Sequence, residues 1–274
     1  MALKRPGALW MPTFPDERLN RSTPSSDAVK RHDGHTSGAS LESPAAVSER
    51  RGHDDVMESS DEDRDHLRDL VRRGYDAISR SYRPDDGGSN PDGPESTASY
   101  QAWLDELGAL LRPGARVLDL GCGAGVPAAK LLADAEFEII GVDISEVQIE
   151  RARSLVPGAT FIRADMATWE SAPASFDAVV SFYALIHLPL EDQRRLIPRL
   201  VRWLTPDGYL LATLGHEQWT GIEDYLGVPM FWDHPDITTY LLWFEEVGLR
   251  PLWHRFIPEG TSGHTLMLAQ REGL

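Results

Sequence analysis

The chain has 274 residues, with 43 acidic residues against 27 lysines and arginines, so its formal net charge at pH 7 is −16. An acidic chain of this kind argues against a nucleic-acid partner, because phosphate binding relies on basic patches, and no apolar run approaches the ~18 residues that span a bilayer. The single cysteine, Cys122, excludes an intrachain disulfide and a multi-cysteine metal site, and we expect no metal.

Residues 1–60 are rich in Ser, Pro, Arg and Asp and show no sustained hydrophobic periodicity. Such a segment buries too little apolar surface to offset the entropy that ordering costs, so we predict a disordered tail. It also lacks the apolar core of a secretory signal peptide. The expected location is therefore cytoplasmic.

Two helices are predicted over residues 61–112. Apolar residues between Leu67 and Ile78 recur at steps of three and four, which predicts a helix over 61–82. A loop rich in proline and glycine follows over 84–94. A second helix is predicted from about residue 96 to residue 111.

The most informative segment of the chain is Arg116–Gly125. Its first five residues read as a short buried strand, and glycines follow at 121, 123 and 125 before a helical pattern that starts near Val126. Strand, glycine turn and helix bring a backbone close to a nucleotide-like ligand. Val126 stands where the dinucleotide fingerprint has its third glycine, which disfavours a nicotinamide oxidoreductase.

A second predicted strand ends in Asp143, which lies 22 residues after Gly121. This is the usual distance for a carboxylate that reaches ribose hydroxyls from the end of the second strand. Ser145 is a predicted N-cap for the helix that follows. Further strands are predicted to end near Asp165 and Phe182.

Taken in order, these segments resemble the class I S-adenosylmethionine-dependent methyltransferases over about residues 75–270. The resemblance implies an α/β, Rossmann-like fold with a seven-stranded sheet in the order 3-2-1-4-5-7-6, two N-terminal lid helices over 61–112 and a core over 113–274. The implied cofactor is S-adenosylmethionine. The residues expected to bind it are Tyr75, Tyr82, Asp119, Gly121, Gly123, Gly125, Asp143, Ile144, Gln148, Asp165, Met166 and Phe182.

The lid tyrosines and His187 each allow two interpretations. Tyr75 and Tyr82 resemble lid residues whose hydroxyls reach the cofactor, but an amphipathic helix also uses tyrosines to cover a sheet. His187 follows the fourth strand, where ligands sit in open α/β sheets. Its near-neutral pKa suits a general base, and the alternative is a ring that holds the wall of the pocket.

Residues of about 216–235 form an insertion after the fifth strand that combines large aromatic residues with carboxylates. The insertion is similar to that of a group of small-molecule methyltransferases with the pattern W-x-G-x-E-x-x-L-G-x-x-M-x-W-x-H. The resemblance implies a cap over the substrate, with Glu223 as a second catalytic candidate beside His187. The residues expected to bind the acceptor are Tyr183, Trp219, Tyr225, Met230 and Trp232. In the alternative, the aromatic residues only pack the insertion onto the sheet and Glu223 is solvated.

The expected function is methyl transfer to a small, partly apolar organic acceptor, in specialised metabolism. The alternatives are methylation of a protein side chain and an interaction protein that binds S-adenosylmethionine without chemistry. The sequence does not choose among oxygen, nitrogen, sulfur and carbon as the acceptor atom, and it does not indicate an oligomeric state.

Overall fold

The computed structural model describes residues 60–85 and 95–273. The predicted disordered tail lies outside the described residues except for Ser60, and so do residues 86–94 of the predicted loop. The helices are α1 (Asp61–Tyr82), α2 (Thr97–Gly108), α3 (Ala128–Asp134), α4 (Glu146–Leu155), α5 (Leu190–Trp203) and α6 (Ile237–Glu246). The strands are β1 (Arg116–Leu120), β2 (Glu138–Asp143), β3 (Thr160–Arg163), β4 (Phe176–Ser181), β5 (Leu204–Gly215), β6 (Trp219–Tyr225), β7 (Val228–His234), β8 (Leu249–Glu259) and β9 (Ser262–Arg271).

Seven strands form one sheet in the order β3-β2-β1-β4-β5-β9-β8. The first five strands are parallel, and β9 runs antiparallel to β5 and β8. The predicted fold class is thereby confirmed. The order equals 3-2-1-4-5-7-6 when β6 and β7, which pair only with each other, are left out of the numbering.

Helices cover both faces of the sheet. On one face, alternate residues such as Val117 pack with α2, α3 and α4. On the other face, their neighbours such as Leu118 pack with α5 and α6. Because both faces are buried, the central residues of the inner parallel strands are mostly apolar, and the carboxyl ends of β1, β2 and β4 are left as the edge where a ligand can bind.

The helix predicted over 61–82 is α1, with the same bounds. Ser60 caps it: the Asp63 amide donates to Ser60 Oγ (3.1 Å), and the Ser60 amide donates to the Asp63 carboxylate (3.3 Å), which is a reciprocal capping box. The second helix ends at Gly108, three residues before the predicted end. Beyond it, the amides of Leu110 and Leu111 donate to carbonyls three residues earlier, those of Leu107 and Gly108 (3.0 and 3.2 Å).

The insertion after β5 is a β-hairpin made of β6 and β7, for which the sequence predicted no secondary structure. Its two-residue turn is Leu226-Gly227, and both residues have positive φ, as a type I′ turn requires. The hairpin packs against α1, where Met230 is fully buried and lies beside Gly74.

Candidate functional site

The glycine turn after β1 forms the floor of the site. Gly121 and Gly123 both have positive φ, a conformation that glycine adopts without a steric penalty. A Cβ at Gly121 would overlap that of Ala184. The turn is fixed by the amides of Gly121 and Cys122, which donate to the Val142 carbonyl (2.8 and 3.1 Å).

Asp143 ends β2 beside this turn, as predicted. One of its carboxylate oxygens accepts from the amide of Gly123 (2.9 Å) and the other from the amide of Ser145 (2.8 Å). Ser145 also caps α4, as predicted, by accepting from the Gln148 amide (3.1 Å). Burial raises the pKa of Asp143 to about 6 despite these hydrogen bonds, so its negative charge lies in a low-dielectric environment.

Asp119 is a second buried carboxylate at the same edge of the sheet. It is 2% exposed, and its Oδ2 has no hydrogen-bond partner among the described residues. Burial, and secondarily the charge of Asp143, raises its pKa to about 7. A buried carboxylate oxygen without a partner costs free energy that a cationic ligand would recover.

A cavity of about 620 Å³ opens above the glycine turn, and we call it the proximal cavity. Ten of the twelve residues predicted to bind the cofactor line it: Tyr75, Tyr82, Gly121, Gly123, Asp143, Ile144, Gln148, Asp165, Met166 and Phe182. Asp119 lines a side cavity of about 380 Å³. The two cavities adjoin, because Tyr82, Gly121, Gly123 and Phe182 line both.

Gly125 is the predicted cofactor residue that lies apart from both cavities. A Cβ at this position would come within 3.1 to 3.3 Å of the side chains of Phe161, Val156 and Ala152. Its position favours close packing of the glycine turn on α4 and β3. Its predicted contact with a cofactor is therefore not supported by its place in the fold.

One end of the proximal cavity is closed by Asp165 and by Arg68 of α1. The Arg68 guanidinium donates through Nε to Asp165 Oδ2 (2.7 Å), and Asp165 Oδ1 accepts from the Ala167 amide (2.8 Å). Arg68 also pairs with Asp192 of α5. Burial by itself lowers the pKa of Arg68, but the charges of these carboxylates outweigh it and raise that pKa.

Tyr75 and His187, which also line the proximal cavity, contact each other. The hydroxyl oxygen of Tyr75 lies 2.8 Å from His187 Nε2, and His187 Nδ1 lies 2.7 Å from the carbonyl oxygen of Phe231 in β7. Burial lowers the pKa of His187 to about 4. The imidazole is therefore neutral at physiological pH.

The hydroxyl of Tyr82 is directed to a different partner from the one the sequence predicted. It donates to the Glu95 carboxylate (3.2 Å), which also pairs with Arg83. The ring of Tyr82 still lines the proximal cavity and packs edge-on against Tyr75, with ring centroids 5.3 Å apart. Tyr82 thus contributes an apolar wall.

A second, larger cavity of about 1100 Å³ lies beside the proximal cavity, and we call it the distal cavity. Its lining residues are His216, Glu217, Gln218, Trp219, Glu223, Trp232, His234, Phe256, Thr261, Ser262, Gly263 and His264. Glu223 lines this cavity, whereas His187 lines the proximal one. The two predicted catalytic residues are therefore separated.

The predicted acceptor-binding residues are divided in the same way. Trp219 and Trp232 line the distal cavity and Tyr183 lines the proximal one. Tyr225 packs edge-on against Trp232 (5.5 Å between centroids). Met230 is enclosed between the hairpin and α1, which fits the alternative of a packing role at this position.

Four residues of the proximal cavity were not predicted: Arg68, Val71, Ala184 and Leu188. For Arg68 the sequence did hold a signal. Arg64 and Arg68 continue the helical spacing of Val71 and Tyr75 toward the start of α1, and both are buried. Charged residues on a buried helix face need partners of opposite charge, so their spacing indicates an ion-pair network.

Two negative findings apply to the described residues only. No helix among them is long and apolar enough to cross a membrane. No group of three or more His, Cys, Asp or Glu side chains in these segments is arranged to hold a metal ion.

Comparisons with known proteins agree with this geometry. Residues 117–208 match the family model described as methyltransferase domain. Trans-aconitate 2-methyltransferase of Variovorax paradoxus is 39% identical over 102 residues, which cover 36% of this chain and 38% of that protein. The 27-O-demethylrifamycin SV methyltransferase of Amycolatopsis mediterranei is 37% identical over 114 residues, which cover 39% and 41%. The matches thus span about two fifths of these relatives.

Among solved structures, magnesium protoporphyrin IX methyltransferase from Synechocystis, with S-adenosylmethionine bound, superposes with a TM-score of 0.57 and 19% identity. The superposition covers 75% of this chain and 97% of that one. At this identity the similarity establishes the fold.

Proposed function

We propose that the chain is a class I S-adenosylmethionine-dependent methyltransferase, which the match of residues 117–208 to the methyltransferase-domain model supports, and that it transfers a methyl group from this cofactor to a small, partly apolar organic acceptor. We place the reaction in specialised metabolism. The observation that carries the proposal is the pair of carboxylates at the carboxyl ends of β1 and β2 beside the glycine turn, the buried Asp119 and the partly buried Asp143.

The residues at this edge fit the cofactor. S-adenosylmethionine carries an ammonium group, and the buried Asp119 oxygen that lacks a partner is suited to a cationic donor. The Asp143 carboxylate is suited to the ribose hydroxyls, and Ile144 and Met166 supply apolar walls for the adenine ring. Gly121 and Gly123 provide backbone without side chains beside it.

When bound, the cofactor supplies a methyl group on a sulfonium: the acceptor's lone pair forms the new bond to carbon, and the carbon–sulfur bond breaks with its electron pair remaining on sulfur. The protein's main contribution is then position. Holding reacting atoms in a near-attack geometry is worth as much as ~7–11 kcal/mol of the barrier. The closely packed wall of Tyr75, Tyr82 and Phe182 suits this role, because it excludes water.

We propose that His187 acts by positioning the phenol of Tyr75. With a pKa of about 4 and with both ring nitrogens in hydrogen bonds, its imidazole is a weak proton acceptor. Proton removal by His187 would have to pass through the Tyr75 hydroxyl. An acceptor that needs little help from a base, such as a phenolate or a carboxylate, is consistent with this arrangement.

Two alternatives are kept. A protein side chain as the acceptor would be favoured by an open, shallow cleft, and the cap hairpin packed on α1 argues against it. An interaction protein without chemistry would be favoured if side chains of the hairpin filled the acceptor site.

The decisive experiment is calorimetric titration of the full chain with S-adenosylhomocysteine, followed by transfer of label from radiolabelled S-adenosylmethionine to a panel of small acceptors. We expect micromolar binding that Asp143→Ala weakens by ~1–3 kcal/mol through the lost hydrogen bonds. A folded protein that does not bind would contradict the proposal. Binding without transfer to any small acceptor, together with transfer to protein, would favour the side-chain alternative.

A further inference from the structure

The distal cavity has no assigned ligand, and the described residues that line it include acidic residues but no lysine or arginine. Glu217 and Glu223 line it, both exposed to solvent. Among the described residues that line this cavity, none is a lysine or an arginine. Two carboxylates without nearby basic side chains attract a cation and repel an anion.

The aromatic residues of the distal cavity are unusually exposed for their size. Trp219 is 47% exposed and Phe256 is 49% exposed. The Trp219 indole lies over Gly221, where a Cβ would come within 3.3 Å of the ring, and the Phe256 ring lies over Gly263, where a Cβ would come within 2.7 Å. Exposed aromatic faces beside carboxylates are a common means of recognising organic cations.

Of the three histidines that line the cavity, His234 is held in its neutral form near neutral pH. Burial and the neighbouring His264 lower the pKa of His234, and its Nδ1 has no hydrogen-bond partner among the described residues although the residue is nine-tenths buried. His264 Nδ1 lies 3.0 Å from the Glu259 carboxylate, and His216 Nδ1 lies 3.0 Å from Thr265 Oγ1.

The two cavities share a wall. Trp232 lines the distal cavity and His187 lines the proximal one, and the centroids of their rings are 5.4 Å apart. The Tyr183 ring of the proximal cavity lies 5.3 Å from the His264 ring of the distal one. The two cavities therefore adjoin at these two ring contacts.

From these observations we infer that the distal cavity binds an organic cation, a protonated amine that the methyl acceptor carries at a position other than the methylated atom. That the bound molecule is the methyl acceptor rests on the proposed function. Binding of an organic cation in the distal cavity can be measured independently of that function. We assign Glu223 to recognition of the amine, and Trp219 and Phe256 to its aromatic surroundings. This assignment also excludes tricarboxylates and phosphate esters as preferred acceptors.

The test uses three probes of similar size that differ in charge: phenethylamine, 2-phenylethanol and 3-phenylpropanoate. Each is titrated into the full chain, with and without saturating S-adenosylhomocysteine. We expect phenethylamine to bind about tenfold or more tightly than 3-phenylpropanoate. Glu223→Gln should weaken phenethylamine binding by about 3- to 10-fold and leave 2-phenylethanol unchanged.

Two further variants sharpen the test. Glu245→Gln removes one exposed carboxylate of α6, outside the cavity, and should leave all three affinities unchanged. Trp219→Leu replaces an exposed indole, so folding is unaffected, and should reduce the preference for phenethylamine over 2-phenylethanol. Equal or tighter binding of 3-phenylpropanoate, equal effects of the two glutamate variants, or no binding of any probe would overturn the inference. The S-adenosylhomocysteine titration in the same samples reports separately on the proposed function.

Discussion

The hydroxyl of Tyr75 donates a hydrogen bond to Nε2 of His187, across 2.8 Å. The direction follows from the other ring nitrogen, because the Phe231 carbonyl can only accept and Nδ1 must therefore carry the proton. In a neutral imidazole this leaves Nε2 as the acceptor. The two bonds join α1, the segment after β4 and the cap strand β7, so one histidine orients the lid and the cap relative to the sheet.

Replacing Tyr75 with phenylalanine should destabilise the protein. The variant leaves Nε2 of a buried imidazole without a donor, which costs about 1–3 kcal/mol of the free energy of unfolding. Urea denaturation measures it. Tyr209→Phe serves as the control, because the Tyr209 hydroxyl only accepts from the partly exposed Gln270 (3.2 Å), and it should cost less than about 0.5 kcal/mol. Equal losses in the two variants would contradict this account.

The low pKa of His187 predicts a pH dependence of stability. Its pKa is about 4 in the folded protein and ordinarily 6.5, so between these values the unfolded chain binds a proton that the folded chain does not. The free energy of unfolding should therefore fall as the pH is lowered from 6.5 toward 4, by about 2–3 kcal/mol from this residue. In His187→Gln this share of the fall should be absent. A variant whose stability falls as steeply as that of the wild type would exclude a buried neutral imidazole.

The sequence was most informative where the backbone itself makes the site. The turn at Gly121, the carboxylate of Asp143 and the N-cap at Ser145 were all placed by the spacing of strands and glycines. These features depend on local geometry, since a residue at the carboxyl end of a parallel strand must face the ligand edge whatever packs elsewhere.

The lid and the cap were harder to predict because they depend on contacts between distant segments. The hairpin turn at Leu226-Gly227 has a leucine where a type I′ turn usually has asparagine or aspartate. This turn therefore had no signal in the sequence. Likewise, the ion pairs of Arg68 with Asp165 and Asp192 join residues 97 and 124 positions apart. No local pattern reports which carboxylates such an arginine will meet.

Asp119→Asn should stabilise the protein while it weakens cofactor binding. Burial raises the folded pKa of Asp119 to about 7 from an ordinary 3.8, so the folded chain holds its proton more tightly, and the free energy of unfolding falls as the pH rises from about 4 to 7. The neutral amide removes this fall. We expect the free energy of unfolding of the variant to exceed that of the wild type by about 1–3 kcal/mol at pH 8, and this difference should shrink toward pH 4. We also expect weaker binding of S-adenosylhomocysteine.

Asp177→Asn is the control for this prediction, because it neutralises a carboxylate that has hydrogen-bond partners. The Asp177 carboxylate accepts from the Arg116 amide (2.8 Å) and the Arg112 guanidinium (3.0 Å), so neutralising it should bring no gain in stability at pH 8. Denaturation of both variants at pH 5 and pH 8 makes the comparison. If Asp119→Asn were less stable than the wild type at pH 8, the carboxylate would have a partner that stabilises its charge.

Gly121→Ala should damage both the fold and the site. The added Cβ would overlap Ala184 Cβ, and the positive φ of Gly121 disfavours any side chain. Because the clash is with an atom one bond from the backbone, neither side can move without displacing the glycine turn or the segment after β4. We expect a loss of about 2–4 kcal/mol in the free energy of unfolding and loss of S-adenosylhomocysteine binding. Gly158→Ala, at an exposed glycine with no atom within 4 Å of the added carbon, should leave both unchanged. A Gly121→Ala protein that kept its stability and its ligand affinity would show that the turn tolerates a side chain, and that the close approach of Ala184 does not shape the proximal cavity.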